Sequence, residues 1–296
     1  MMAIIKTVGV VGAGLMGSGI AQVVAQAGYS VAVREVEQRF LDKGVKAIDG
    51  QLQRAVEKGR MSAEEKVNLL GRIGWTLSLD DLKGADLIIE AIVEDLPLKQ
   101  ELYRALDRLC APSAIFVSNT SSLTIMAMAS VTGRADRFAG LHFFNPVPVM
   151  KLVEVIRTIR TSEETYRTVY EFATSLGKEP VTVRDNCGFI VNRLLVPYLL
   201  DAIRALEAGV ATVSDIDKAM TLGCNHPMGP FTLADFVGLD TTYFIANVMF
   251  EEYRERRYAP PPLLRKMVMA GYHGRKTGRG FYDYSGPTPK VTDLGL

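Results

Sequence analysis

The feature that most constrains this chain is a glycine-rich turn, Gly12-Ala13-Gly14-Leu15-Met16-Gly17, set between a β-branched run and a run of helical period. Residues 6–11 (KTVGVV) read as a buried strand that stops at Gly12. From Leu15 onward Ile20, Val23, Val24 and Ala27 recur at helical spacing, and Gly28 ends the helix. Residues 30–33 form a second strand, so the first thirty or so residues make a right-handed βαβ unit of a parallel sheet. In that setting G-x-G-x-x-G becomes a dinucleotide fingerprint. Gly12 permits the tight turn, Gly14 lets a pyrophosphate approach the backbone, and Gly17 lets helix and strand pack closely. The N–H groups around Leu15 and Met16, where the helix opens, supply an anion site.

Glu35 ends the second strand, 23 residues after Gly12. A carboxylate there accepts hydrogen bonds from an adenosine ribose and repels a 2′-phosphate, which favours NAD over NADP. Arg34 beside it argues the other way, since an arginine supports a 2′-phosphate. The competing reading of Glu35 is a solvated acid at a strand end.

Further alternation of helix and strand follows. Residues 38–58 read as helix, and Ser62 with Glu65 makes a capping box for the next one. Residues 86–92 and 114–118 read as strands around a helix from about 98 to 109, and residues 138–144, 153–156 and 180–183 as later strands. Thr161 and Glu164 read as the cap of a helix that Gly177 stops. From about residue 186 helix-like segments dominate without strand alternation, and the Pro260-Pro261-Pro262 run reads as an inter-helix loop. The expectation is an α/β protein: a doubly wound Rossmann-type sheet over 1–186, then a smaller all-α domain over 187–296.

Composition narrows the partners. Lys and Arg number 34 against 33 Asp and Glu, a net charge of +1, so nothing in the whole-chain charge attracts nucleic acid or an anionic membrane. An anionic ligand needs a local basic site. Cys110, Cys187 and Cys224 are too few and scattered for a disulfide framework or a zinc site, and no metal is expected; they suit a reducing, cytoplasmic location. Residues 7–33 lack charge and imitate a signal peptide or membrane span, but six glycines with Ser18, Gln22, Gln26 and Ser30 interrupt any long apolar core.

Histidine is scarce: His142, His226 and His273. His142 ends a strand, where ligands bind in open α/β sheets. Twelve residues later Glu154 lies within KLVEVI, an acid among apolar neighbours that is costly to bury unpaired. A histidine is a natural partner, and a His–Glu pair fixes the imidazole tautomer of a general base. Taken residue by residue, each reads more readily as structural than as catalytic, because the sequence does not show that they meet.

Several motifs in order now carry a resemblance: GVVGAGLMGSGIAQ at 9–22, SNTSSL at 118–123, HFFNPVPVMKLVEV at 142–155, DNCGFIVNRLL at 185–195, HPMGPFTLADFVGLD at 226–240 and GRKTGRGFYDY at 274–284. Almost from end to end the chain resembles the 3-hydroxyacyl-CoA dehydrogenases, and among them the short bacterial 3-hydroxybutyryl-CoA type. The resemblance implies an NAD-dependent oxidoreductase of fatty-acid metabolism that interconverts (S)-3-hydroxyacyl-CoA and 3-oxoacyl-CoA. It implies His142 as catalytic base with Glu154 as its partner, and Ser121 and Asn192 on the reacting oxygen of the substrate. From the residues alone, Ser121 reads equally as a helix N-cap, a role open to Ser122 too, and Asn192 as a polar helix face. The resemblance also sets Glu94, Lys99, Asn119 and Lys276 on the cofactor, although Lys99 and Lys276 otherwise read as surface charges. Arg54 and Lys58 share a helix face by their i, i+4 spacing and, by resemblance, meet the phosphates of coenzyme A; the alternative is a solvated face. A homodimer is implied as well. Two rivals remain: a sugar-acid 3-dehydrogenase of the crystallin-like branch, with no use for Arg54 and Lys58, and a non-enzymatic NADH sensor.

Overall fold

The computed structural model describes residues 5–295. The chain divides into two compact units, Met1–Phe189 and Ile190–Leu296.

The first unit runs β1 (Thr7–Val11), α1 (Leu15–Gln26), β2 (Ser30–Arg34), α2 (Gln38–Glu57), α3 (Ala63–Leu70), β3 (Ile73–Thr76), β4 (Leu87–Glu90), α4 (Leu96–Leu109), β5 (Ile115–Ser118), α5 (Ile125–Ala129), β6 (Phe138–Phe143), β7 (Leu152–Arg157), α6 (Glu163–Ser175) and β8 (Glu179–Arg184). These strands form one sheet in the order β3-β2-β1-β4-β5-β6-β7-β8. Neighbours are parallel except β6 and β7, which are antiparallel. Both faces are buried, which is why the central strands are continuously apolar. Leu87, Ile89, Ile115 and Val117 face one core with Ile20, Ile48 and Phe172; Ile88 and Phe116 face the other with Tyr103, Leu106 and Phe138. The alternation is the two-residue period of the pleat.

Most expected elements are present, and the differences have local causes. The edge strand β3 (IGWT) has no counterpart in the sequence reading; only Ile73 in it is buried, so no alternating pattern marks it. Ser162, not Thr161, caps α6 by accepting the Thr165 N–H at 3.1 Å. The Thr161 hydroxyl instead donates to the Phe138 carbonyl at 2.7 Å, tying the turn to β6. The capping box of Ser62 and Glu65 forms as expected.

The second unit contains α7 (Val191–Glu207), α8 (Val213–Gly223), α9 (Pro230–Val237), α10 (Leu239–Tyr253) and α11 (Pro262–Met269). Leu199, Leu200, Ile203, Phe231, Met249, Leu264 and Phe281 are buried in it. Two corrections belong here. A short hairpin, β9 (Tyr282–Asp283) and β10 (Lys290–Val291), interrupts the all-α expectation. Pro262 opens α11 instead of lying in a loop, a position where the missing proline N–H costs nothing. Two buried aspartates fasten the tail. Asp217 accepts the Phe231 and Thr232 N–H groups at the start of α9 and the Tyr282 hydroxyl; Asp235 accepts the N–H groups of Phe281 and Tyr282. Among the described residues, no helix is long and apolar enough to cross a membrane.

Candidate active site

Five strands deliver side chains or turns to the carboxyl edge of the parallel sheet, the edge where α/β folds bind ligands. Val11, Arg34, Glu90 and Ser118 end β1, β2, β4 and β5, and His142 is the penultimate residue of β6. The antiparallel register of β6 and β7 sets His142 directly opposite Glu154. Their side chains therefore emerge on the same face, close enough to meet. His142 Nδ1 lies 2.6 Å from Glu154 Oε2, with Glu154 fully buried and His142 nearly so. A carboxylate only accepts, so Nδ1 carries the proton and Nε2 presents its lone pair. The rings of Phe144 and Phe189 stand 4.5 and 5.7 Å from the imidazole, centroid to centroid.

Beside this pair, the turn after β5 is organised by acids. Asn119 Oδ1 accepts the Phe143 N–H at 2.9 Å, linking the turn to the strand that carries His142. Glu94 Oε1 accepts the Thr120 hydroxyl and, at 3.0 Å, the Ser121 N–H. The Ser121 hydroxyl lies 3.5 Å from the same oxygen. Neither Ser121 nor Ser122 caps a helix. The start of α5 is held instead by Asp185, which accepts the Ile125 and Met126 N–H groups at 2.7 Å each.

Lys99 is not a surface charge. It is 1% exposed, with its ammonium 2.5 Å from Glu90 Oε1 and 3.1 Å from Glu94 Oε2. Burial pushes the Glu94 carboxyl up, but Lys99 and the Thr120 and Ser121 donors outweigh it and hold the carboxyl below its ordinary value. Glu90, Thr120 and Asp185 escaped the sequence reading. Glu90 ends an otherwise apolar strand, and the one local signal was the cost of burying an acid there.

The glycine turn fits a dinucleotide. Gly12 has φ +103°, and a Cβ there would lie 2.5 Å from the Ala91 carbonyl oxygen. A Cβ on Gly17 would overlap the Gly12 carbonyl, whereas one on Gly14 would meet nothing within 4 Å. The turn is thus closed toward the protein and open on the side a ligand approaches. Gly14 caps α1 without a side-chain hydrogen bond, leaving the N–H groups of the first turn, at Leu15 and Met16, without intrahelical acceptors. Glu35 reaches back to this turn: its Oε2 accepts the Ala13 N–H at 2.9 Å and its Oε1 the Val36 N–H at 2.7 Å.

The remaining candidates lie apart from this cluster in the chain. Arg54 is in the last turn of α2 and Lys58 is its C-cap; both are exposed. In the second unit, Asn192 is half-buried at the start of α7, and Lys276 pairs with Asp240 at 2.5 Å.

Comparison with known proteins agrees with this architecture. Residues 7–186 match the NAD-binding domain model of 3-hydroxyacyl-CoA dehydrogenase, and residues 188–284 match the model of its C-terminal domain. A 3-hydroxybutyryl-CoA dehydrogenase of Mycobacterium tuberculosis is 52% identical over 95% of this chain and 99% of its own length. The mitochondrial hydroxyacyl-coenzyme A dehydrogenase of Homo sapiens is 48% identical over 95% of this chain and 92% of its own. The crystal structure of (S)-3-hydroxybutyryl-CoA dehydrogenase from Ralstonia eutropha has a TM-score of 0.92 at 46% identity, covering 96% of this chain and 100% of that one. Matched in both halves and along nearly its whole length, the chain belongs to the 3-hydroxyacyl-CoA dehydrogenase family.

Proposed function

We propose that this chain oxidises (S)-3-hydroxyacyl-CoA, with 3-hydroxybutyryl-CoA as the first candidate, to 3-oxoacyl-CoA, and runs the reverse reduction. The observation that carries the proposal is the buried His142–Glu154 pair at 2.6 Å on the ligand-binding edge of the sheet. In the oxidation, Nε2 of His142 takes the proton of the 3-hydroxyl. Glu154 keeps Nδ1 protonated and stabilises the imidazolium that forms. The Ser121 hydroxyl holds the substrate oxygen, and Asn192 orients it. When bound, NAD would supply the acceptor for the hydride from C3, and NADH the donor in the reduction. Gly12, Gly14, Leu15, Met16 and Gly17 would hold its pyrophosphate, Glu35 its adenosine ribose, and Glu94, Lys99, Asn119 and Lys276 its nicotinamide side. Arg54 and Lys58 bind the phosphates of coenzyme A, since the net charge of +1 leaves anion attraction to local cations.

A homodimer of cytoplasmic location goes with this reading; exposed Phe244 on α10 is the kind of residue a second copy covers. The test is loss of NADH absorbance with acetoacetyl-CoA, with NADPH and free acetoacetate as controls. Rapid NADH oxidation that requires the thioester is the expected result. Turnover of free acetoacetate at the same rate would remove coenzyme A from the proposal, and no turnover with either cofactor would end it.

A further inference from the structure

The acid at the end of β4 has no part in the chemistry above, yet it anchors the turn that carries Ser121. Glu90 is fully buried, and β4 pairs with β5 so that Glu90 lies opposite Ser118. Its Oε1 accepts the Lys99 ammonium at 2.5 Å and the Ile92 N–H at 2.8 Å, and its Oε2 accepts the Ser118 hydroxyl at 2.6 Å. Ser118 Oγ in turn accepts the Thr120 N–H at 3.1 Å. Two lines of contact therefore leave Glu90 for one turn. One passes through Lys99 and Glu94 to the Thr120 hydroxyl and the Ser121 N–H; the other passes through Ser118 to the Thr120 N–H.

Resting on the dehydrogenase reading, we infer that Glu90 is a positioning residue, which acts through Lys99 and Ser118 to set where Glu94 and Ser121 stand. Two carboxylates share one buried ammonium, so Glu90 divides the pull of Lys99 and leaves Glu94 Oε1 to the turn. A neutral residue at position 90 surrenders Lys99 wholly to Glu94. The carboxylate then rotates toward the ammonium, and the Thr120 and Ser121 contacts loosen.

The test uses the full-length protein and two variants. Glu90→Gln leaves Lys99 with one counter-charge; Glu90→Gln/Lys99→Met removes the buried pair together and so avoids stranding an unpaired charge. Hydrogen exchange of the segment 119–125 is measured without ligands, and kcat and KM are measured with acetoacetyl-CoA and NADH. The expected result in Glu90→Gln is about ten-fold faster exchange confined to 119–125, and a smaller rise in the double variant, which has no ammonium to turn Glu94 away from the turn. In Glu90→Gln it is accompanied by a fall in kcat of about ten-fold, with KM for the thioester moving much less. Parental exchange and parental kcat in Glu90→Gln would overturn the inference, as would faster exchange spread evenly over the sheet. A parent protein that does not turn over acetoacetyl-CoA would defeat the dehydrogenase reading instead, and the exchange result would still decide the role of Glu90.

Discussion

His142 and Glu154 face each other across two antiparallel strands, Nδ1 to Oε2 at 2.6 Å, and this is the one reversal of direction in an otherwise parallel neighbourhood. The turn of residues 144–151 brings an acid twelve positions later in sequence back beside the histidine. The pair gives the site an acceptor at Nε2 whose tautomer is held by a fully buried carboxylate.

His142→Gln removes that acceptor and is expected to lower kcat by roughly 10²–10⁴, the range for loss of a general base. Glu154→Gln offers Nδ1 a carboxamide that no longer stabilises the imidazolium, and a fall of about 10² is expected. Steady-state rates with circular dichroism as a folding control check both. A folded His142→Gln protein with parental turnover removes His142 from the mechanism.

Glu35 braces the glycine turn through the Ala13 N–H, while the Nε of neighbouring Arg34 is buried without a hydrogen-bond partner. Glu35→Ala is expected to weaken NADH binding at least about ten-fold, or about 1.4 kcal/mol, and NADPH binding less. Fluorescence titration of both cofactors decides it; equal losses would show that Glu35 serves only the turn.

Arg54 and Lys58 lie one helical turn apart at the exposed end of α2. Arg54→Ala and Lys58→Ala are expected to raise KM for acetoacetyl-CoA roughly three- to ten-fold each, because exposed cations on phosphate are screened by water and salt. The effect should shrink as salt is added. A KM that is insensitive to both changes at low salt assigns these cations to solvent.

Much of the sheet was legible in the sequence because its signals are local. The glycine turn, the Ser62–Glu65 box and the apolar runs of β4 and β5 each announce themselves within a few residues. The meeting of His142 with Glu154 was not legible, since a strand register is a long-range property that alternation alone leaves open. Lys99 misled for a related reason. It shares a helix face with Leu96, Leu102 and Tyr103, but that spacing names no counter-charge, and only the fold reveals that Glu90 and Glu94 await it in the interior. Edge strand β3 was missed because an edge needs no continuous apolar run.

The same buried lysine helps to set the acid behaviour of Glu94. Glu94 is held below its ordinary value of 4.5, so the folded protein binds its proton less readily than the unfolded chain does. Its contribution to stability is therefore present above that value and is lost as pH falls through the lower folded one. Glu94→Gln has no such proton to gain. The variant is expected to melt below the parent at about pH 7, and the gap should close as pH is taken to about 4 and below. Thermal melts of both proteins across that range measure the gap directly. A gap that stays constant with pH would mean that Glu94 holds the Thr120–Ser121 turn by shape alone, without help from its charge.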